Sequence, residues 1–263
     1  MPSQAVLSAA QIDSFVTDGF VRLDDAFPLA IADECRSILW QLTGCHPEQP
    51  ATWTRPVVRI GYRDDPPFRA AANTPTLHAA FDQLVGKGRW APRIDLGTFP
   101  VRFPMPDTPG DDGWHVDVSF GGDPSDFLSW RANVYSRDRA LLMLFLFSDV
   151  GREDAPTRLR AGSHLAIARR LAPAGEAGLS LREISDDGYA STAHLPEVLA
   201  VGTAGTVYLC HPFLVHAAQP HRGTRVKFMA QPPLPLSVPL VLDRSDGDYS
   251  PVEAAIRLAG AKH

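Results

Sequence analysis

From Ile94 to Gln231 the chain is a succession of short apolar runs broken by Gly, Pro and Asp: IDLGTFPVRF, WHVDVSF, ALLMLFLFSDV, GTVYLCH and TRVKFMAQ. Runs of this length with turn residues between them fit antiparallel strands in a sandwich or small barrel. The longest apolar run, Ala140 to Phe147, falls far short of the roughly 20 residues that a membrane-spanning helix needs. Ahead of this region the pattern is helical. Ser8 with Gln11 three residues on predicts a capping box that opens a helix through about Thr17, stopped near Gly19. Phe20 to Phe27 alternates as a half-buried strand does. Leu29 to Leu42 has helical spacing ended by Gly44, and Pro75 opens a helix to about Val85. Pro47 to Pro67, rich in Pro and Arg, reads as an irregular excursion. Leu171 to Leu195 reads as a polar loop with a short helix, and Pro251 to Leu258 as a last helix. These signals predict one domain over residues 1–263: a helical N-terminal third (about 1–90), a β core (about 91–235) and a C-terminal tail with a short helix (236–263).

A net charge of −5 and a pI near 6 give no electrostatic case for nucleic acid or an anionic membrane as partner. The three cysteines, Cys35, Cys45 and Cys210, are odd in number and lack C-x-x-C spacing, which fits a reduced chain better than a disulfide scaffold. The start of the chain has no basic segment followed by a long apolar one, so no signal peptide is expected. The reading is a soluble, cytoplasmic protein whose partner is a small molecule. Nothing in the sequence addresses its oligomeric state.

Within GWHVDVSF, His115 and Asp117 stand two apart, and a strand turns residues i and i+2 to one face. With one distant histidine they would make a 2-His-1-carboxylate set, which leaves open positions on Fe(II). Alone the tripeptide is also read as a chance pair, since the chain has nine histidines. The segment TVYLCHPFLVHAAQPHRGTRVKF offers three partners. His211 precedes Pro212 and suits a core or turn position, His221 sits in a turn-like and exposed stretch, and His216 lies in an apolar stretch leading off a strand. Arg225, nine residues after His216, can return beside it on the next strand. A 2-oxo-dicarboxylate that chelates iron through one carboxylate and its keto oxygen leaves a far carboxylate, and a guanidinium is a fixed bidentate partner for it. The competing reading of Arg225 is a solvated charge on an edge strand.

These residues resemble the phytanoyl-CoA dioxygenase family of Fe(II)- and 2-oxoglutarate-dependent oxygenases, over most of the chain. The opening LSAAQIDSFVTDGFVRLDDAF, then GWHVD, DAPTRLRAGSHL and HPFLVHAAQPHRGTR are similar to its motifs and stand in the same order. The resemblance implies a mainly β fold with flanking helices around a double-stranded β-helix (jelly roll, cupin-like) core. It implies His115, Asp117 and His216 as iron ligands, Arg225 as the 2-oxoglutarate clamp, and structural roles for His164 and His211. Implied with these are Fe(II), 2-oxoglutarate and dioxygen, with succinate and CO2 released as an unactivated C–H is hydroxylated. Two departures stand out. Ala218 occupies the place of a small hydroxyl residue that helps hold 2-oxoglutarate, and Ala161 replaces a proline before Gly-Ser-His. Related halogenases lack the carboxylate ligand; Asp117 is present, which favours hydroxylation.

Substrate contacts are expected from Ser119, Phe120, Trp130 and Arg102, and Thr98 is expected to touch 2-oxoglutarate. Trp53, Arg55, Arg59 and Tyr62 form a candidate lid suited to a polar small molecule, such as a natural-product or antibiotic intermediate. Two other readings use the same fold: a non-oxidative cupin-like metal enzyme such as an isomerase or epimerase, which has no need of Arg225, and a non-catalytic small-molecule-binding jelly roll.

Overall fold

The computed structural model describes residues 5–260; the first four residues, where the leader reading begins, and the last three of the C-terminal tail lie outside the described residues. Helix α1 (Ala9–Asp18) opens on the expected box: the Ser8 hydroxyl accepts the Gln11 N–H, and the Gln11 side chain accepts the Ser8 N–H at 2.9 Å. It ends at Gly19, whose φ of 87° only glycine adopts cheaply. Strand β1 (Phe20–Leu23) stops short of Phe27 because Asp24 and Asp25 turn the chain, with Asp25 at φ 51°. Helix α2 (Leu29–Thr43) ends at left-handed Gly44. The stretch expected to be irregular instead holds β2 (Val57–Ile60) and the start of α3 (Pro66–Ala72). The partner of β2 is β3 (Phe99–Arg102), far along the chain, so no local turn signal announced the pair. Helix α4 (Pro75–Val85) matches its expected bounds, capped by the Thr74 hydroxyl on Leu77 N–H.

The β core follows as β4 (Arg131–Ala132), β5 (Leu141–Leu146) and β6 (Thr157–Arg160). Helix α5 (Ser163–Leu171), which no capping residue announced, starts from left-handed Gly162. Next come β7 (Leu179–Ser180), α6 (Leu181–Ile184), β8 (Glu197–Ala200), β9 (Val207–Cys210), β10 (His216–Ala217), β11 (Met229–Ala230), β12 (Pro233–Leu234) and α7 (Pro251–Gly260). One antiparallel sheet runs β1-β9-β5-β11, with β12 also on β5; a second runs β10-β6-β8. Strand β3 joins the first through the backbone pair Arg102–Lys227, and the His115 segment joins the second through His216. Two such antiparallel sheets face to face, wrapped by helices, are a jelly roll.

The run Leu141–Leu146 does not alternate because it is buried on both faces. Leu142, Leu144 and Leu146 join Leu159, Tyr208 and Met229 between the sheets. Met143, Phe145 and Phe147 face the helical layer, where Phe27 lies 5.2 Å from Phe147 and Phe68 lies 5.1 Å from Phe99, ring to ring. Each fully buried side chain of this size contributes about 1.5–3 kcal/mol. These two layers hold the strands that carry the site. Among the described residues no helix is long and apolar enough to cross a membrane.

Candidate metal centre

His115 and His216 sit directly opposite one another. Each backbone N–H donates to the other's carbonyl at 2.9 Å, which brings the ring centroids to 4.3 Å. The His115 segment is fixed by its neighbours. The Trp114 ring lies under the guanidinium groups of Arg158 (4.6 Å) and Arg160 (3.9 Å), and the Val116 N–H donates to the Tyr189 hydroxyl at 3.2 Å. Asp117, two residues on, shares the His115 face, and its Oδ1 lies 3.9 Å from His216 Nε2. One donor atom from each of the three residues falls within a 4.8 Å span.

The tautomers are set by the chain itself. His115 Nδ1 lies 2.9 Å from the Gly113 carbonyl and His216 Nδ1 lies 3.0 Å from the Leu214 carbonyl. A carbonyl only accepts, so both Nδ1 atoms carry the proton and both Nε2 lone pairs are free to bind a metal. Burial pushes the Asp117 carboxyl up, but Arg139, His216 and His115 together hold it at about 2. Burial, with His115 alongside, pushes His216 down to about 4. Asp117 is therefore an anionic carboxylate beside a neutral His216 imidazole at neutral pH, the protonation state that metal binding requires of them. Two nitrogens and one oxygen with fixed tautomers fit an Fe(II) facial triad.

The triad opens on a cavity of about 530 Å³ whose wall includes Tyr62, Thr98, Ser119, Trp130, Arg139 and Gln231. Of the residues expected here, Thr98, Ser119 and Trp130 line it. The Ser119 hydroxyl is already given to the Arg137 carbonyl. Phe120 lies off the cavity under the Arg137 guanidinium, at 5.1 Å. Arg102 also lies off it, buried and paired with both Asp111 oxygens at 3.0 and 2.8 Å. Of the candidate lid only Tyr62 reaches the cavity. Trp53 packs on Trp40 and Phe103, Arg59 pairs with Asp111, and Arg55 is exposed.

Arg225 departs most from its expected place. Its side chain is 57% exposed and pairs with Asp154 at 2.7 Å and Asp149 at 3.6 Å, at the surface rather than in the cavity. The buried cation of that strand is Lys227. Its ammonium donates to the Ala155 carbonyl at 2.6 Å and, among the described residues, has no carboxylate within 4.0 Å. Burial, with Arg102 adding to it, pushes the Lys227 amine well below its ordinary range. His211 is fully buried beside His164 and Phe213, with Nε2 near the Val252 carbonyl, so it belongs to the packing of α7. His221, expected to be exposed, is buried, and its ring nitrogens engage the Arg225 carbonyl and the Gly223 N–H. Sequence reasoning missed Arg139 and Gln231 in the cavity wall and the burial of Lys227. Gln231 and Lys227 share a face with Met229 on TRVKFMAQ, and that alternation was the available signal.

A jelly roll with two histidines and a carboxylate at its mouth is the architecture of the non-haem Fe(II) oxygenases. Solved structures share the fold. EctD from S. alaskensis, with 2-oxoglutarate and 5-hydroxyectoine, is 20% identical with a TM-score of 0.57 over 90% of this chain and 78% of that one. The non-haem alpha-ketoglutarate-dependent carbocyclase SnoK from nogalamycin biosynthesis is 16% identical, with a TM-score of 0.54 over 88% and 84%. HygX from Streptomyces hygroscopicus, with nickel, 2-oxoglutarate and hygromycin B bound, is 19% identical, with a TM-score of 0.53 over 86% of each chain. No curated protein sequence matches this chain. The profile of the family described as phytanoyl-CoA dioxygenase matches residues 15–229. The chain belongs to that family and is a non-haem dioxygenase that uses Fe(II), 2-oxoglutarate and dioxygen.

Proposed function

We propose that His115, Asp117 and His216 hold the iron, and that the whole chain acts as one dioxygenase domain that hydroxylates a small polar molecule. The observation that carries this is the pair of imidazoles whose Nδ1 protons are given to Gly113 and Leu214, which leaves two Nε2 atoms and Asp117 Oδ1 converging. The chemistry supplied at such a centre is oxidative decarboxylation of 2-oxoglutarate to succinate and CO2, coupled to conversion of C–H to C–OH by the atoms of one dioxygen.

The chain's own residues do the rest. Backbone carbonyls keep the histidine protons away from the metal side. Arg139 holds Asp117 anionic and occupies Oδ2, which leaves Oδ1 as the donor. The aromatic walls at Tyr62 and Trp130 limit water. For the far carboxylate of 2-oxoglutarate, Lys227 replaces Arg225 as the proposed partner. Lys227 lies on the interior face with Met229 and Gln231, and Gln231 lines the cavity beside Thr98, whose carbonyl its N–H meets at 3.0 Å. The interval from Gln231 to Lys227 is about 13 Å of strand. A lysine stem and a five-carbon diacid span it together. Arg102, beside Lys227, is already neutralised by Asp111, so the lysine is the charge that lacks an anion. Thr98 keeps its proposed role at the co-substrate and Trp130 at the substrate.

A natural-product or antibiotic intermediate suits a cavity of this size and mixed lining; SnoK comes from nogalamycin biosynthesis, and HygX binds hygromycin B. The test is succinate formation by the purified chain. It should require Fe(II), 2-oxoglutarate and oxygen together, and metal-dependent turnover without 2-oxoglutarate and oxygen would favour a non-oxidative metal enzyme.

A further inference from the structure

Arg139 has more donors than Asp117 uses. It ends a tight turn, Ser136 to Arg139, in which two residues other than glycine are left-handed: Ser136 at φ 46° and Asp138 at φ 67°. Such conformations persist where the surroundings over-determine them, and they cluster at ligand-handling sites. Here the turn is closed by Ser136 N–H to the Asn133 carbonyl (2.9 Å), Arg139 N–H to the Ser136 carbonyl (3.0 Å) and the Ser136 hydroxyl to the Arg139 carbonyl (2.6 Å). The Ser119 hydroxyl pins Arg137 from the metal-bearing segment. The guanidinium so delivered is 13% exposed and lies in the cavity wall. One Nη1 donor meets Asp117 Oδ2, Nη2 lies 3.4 Å from the Val118 carbonyl, and the Nε–H is buried without a partner among the described residues.

A fixed guanidinium that shares a carboxylate with a divalent metal is repelled by that metal. Counting Asp117, the divalent ion, dianionic 2-oxoglutarate, Lys227 and Arg139, the loaded site keeps one positive charge in excess. Asp138, also in the cavity wall, does not offset it, because it pairs with the Arg137 guanidinium at 3.5 Å and the two charges cancel. We propose that Arg139 is the receptor for a carboxylate on the substrate, so that the preferred substrate is a small organic acid whose oxidised C–H lies a few bonds from that group. The aromatic rim at Tyr62, Phe127 and Trp130 takes the body of the molecule. This rests on the dioxygenase reading of the same cavity.

The test uses anaerobic holoenzyme loaded with Fe(II) and 2-oxoglutarate, titrated with pairs of small carboxylic acids and their primary amides. Binding is read from the perturbation of the Fe(II)–2-oxoglutarate absorption. Wild type should prefer the acids by at least about tenfold, the worth of one charge-assisted hydrogen bond. In Arg139→Gln that ratio should collapse to within about twofold, and Arg139→Lys should restore part of it. A ratio near one in wild type, or an unchanged ratio in Arg139→Gln, overturns the proposal. So does an Arg139→Gln variant that keeps the preference for acids but binds 2-oxoglutarate poorly, since the guanidinium then serves the co-substrate. Absence of the 2-oxoglutarate absorption in wild type would instead overturn the dioxygenase reading itself.

Discussion

Replacing Lys227 by methionine should separate affinity from stability. The substitution keeps the stem and removes a buried amine that, among the described residues, has no carboxylate within 4.0 Å. Truncating one member of a buried charge pair costs about 2–5 kcal/mol, so 2-oxoglutarate binding should weaken roughly 30- to 5,000-fold. Stability should move the other way. Burying an amine that gives up its proton to lose its charge opposes folding, and its removal outweighs the one bond lost at the Ala155 carbonyl. The apoprotein should therefore unfold at the same urea midpoint as wild type or a higher one. Arg225→Ala supplies the contrast. Its charge is exposed and paired at the surface, where such pairs contribute about 0–1 kcal/mol, so affinity for 2-oxoglutarate should change by no more than about fivefold. Isothermal titration with nickel in place of iron measures both. The reasoning fails if Lys227→Met binds within fivefold of wild type, or if Arg225→Ala loses more than about thirtyfold.

Three further outcomes follow from the same structure. Because burial holds the Lys227 amine low in the free protein, 2-oxoglutarate should bind with proton uptake above that lowered range and weaken as pH rises; titrations in buffers of different ionisation enthalpy read the protons directly. Burial pushes the Glu253 carboxyl up, but the Arg89 guanidinium and the N–H groups of Val241 and Ser250 bring it down from 4.5 to about 2. The docking of α7 then gains about 3 kcal/mol that is fully present above pH 4.5 and lost as pH falls toward 2; urea unfolding at pH 7, 4 and 3 should show that loss in wild type and a flatter profile in Glu253→Gln. In Gly19→Ala, a Cβ would lie 2.5 Å from His164 Nδ1 and 2.9 Å from Leu214 Cδ1 at φ 87°. The cost should be about 2–5 kcal/mol by chemical denaturation, from left-handed strain and overpacking together.

The sequence carried local signals well and non-local ones poorly. The Ser8–Gln11 box and Pro75 each report a helix end through chemistry contained in one turn, and both helices lie where that chemistry puts them. Strand β2 was invisible because its partner β3 lies across α3 and α4, and α5 because Gly162 offers no side-chain cap. The convergence of His115 and Asp117 was legible because extended chain turns residues i and i+2 to one side, while choosing His216 over His211 and His221 as their neighbour needed the surrounding pattern of Pro and Gly. The cations were read by a rule that failed. Arg225, taken for the cavity, is exposed, and Lys227 and Arg139, which look like solvated charges in VKF and SRDRA, are the inward ones. Both faces of the stretch from Val226 to Ala230 are buried, one against the helices and one inside the roll, while Arg225 just before it is exposed, and alternation alone does not show that change.

The account stands or falls on where the iron sits. Anaerobic equilibrium dialysis with Fe(II) should give a single tightly held ion per chain in wild type. It should be lost in His115→Ala and His216→Ala and kept in His221→Ala. Retention of the ion by either of the first two variants, or its loss from the last, would contradict the assignment.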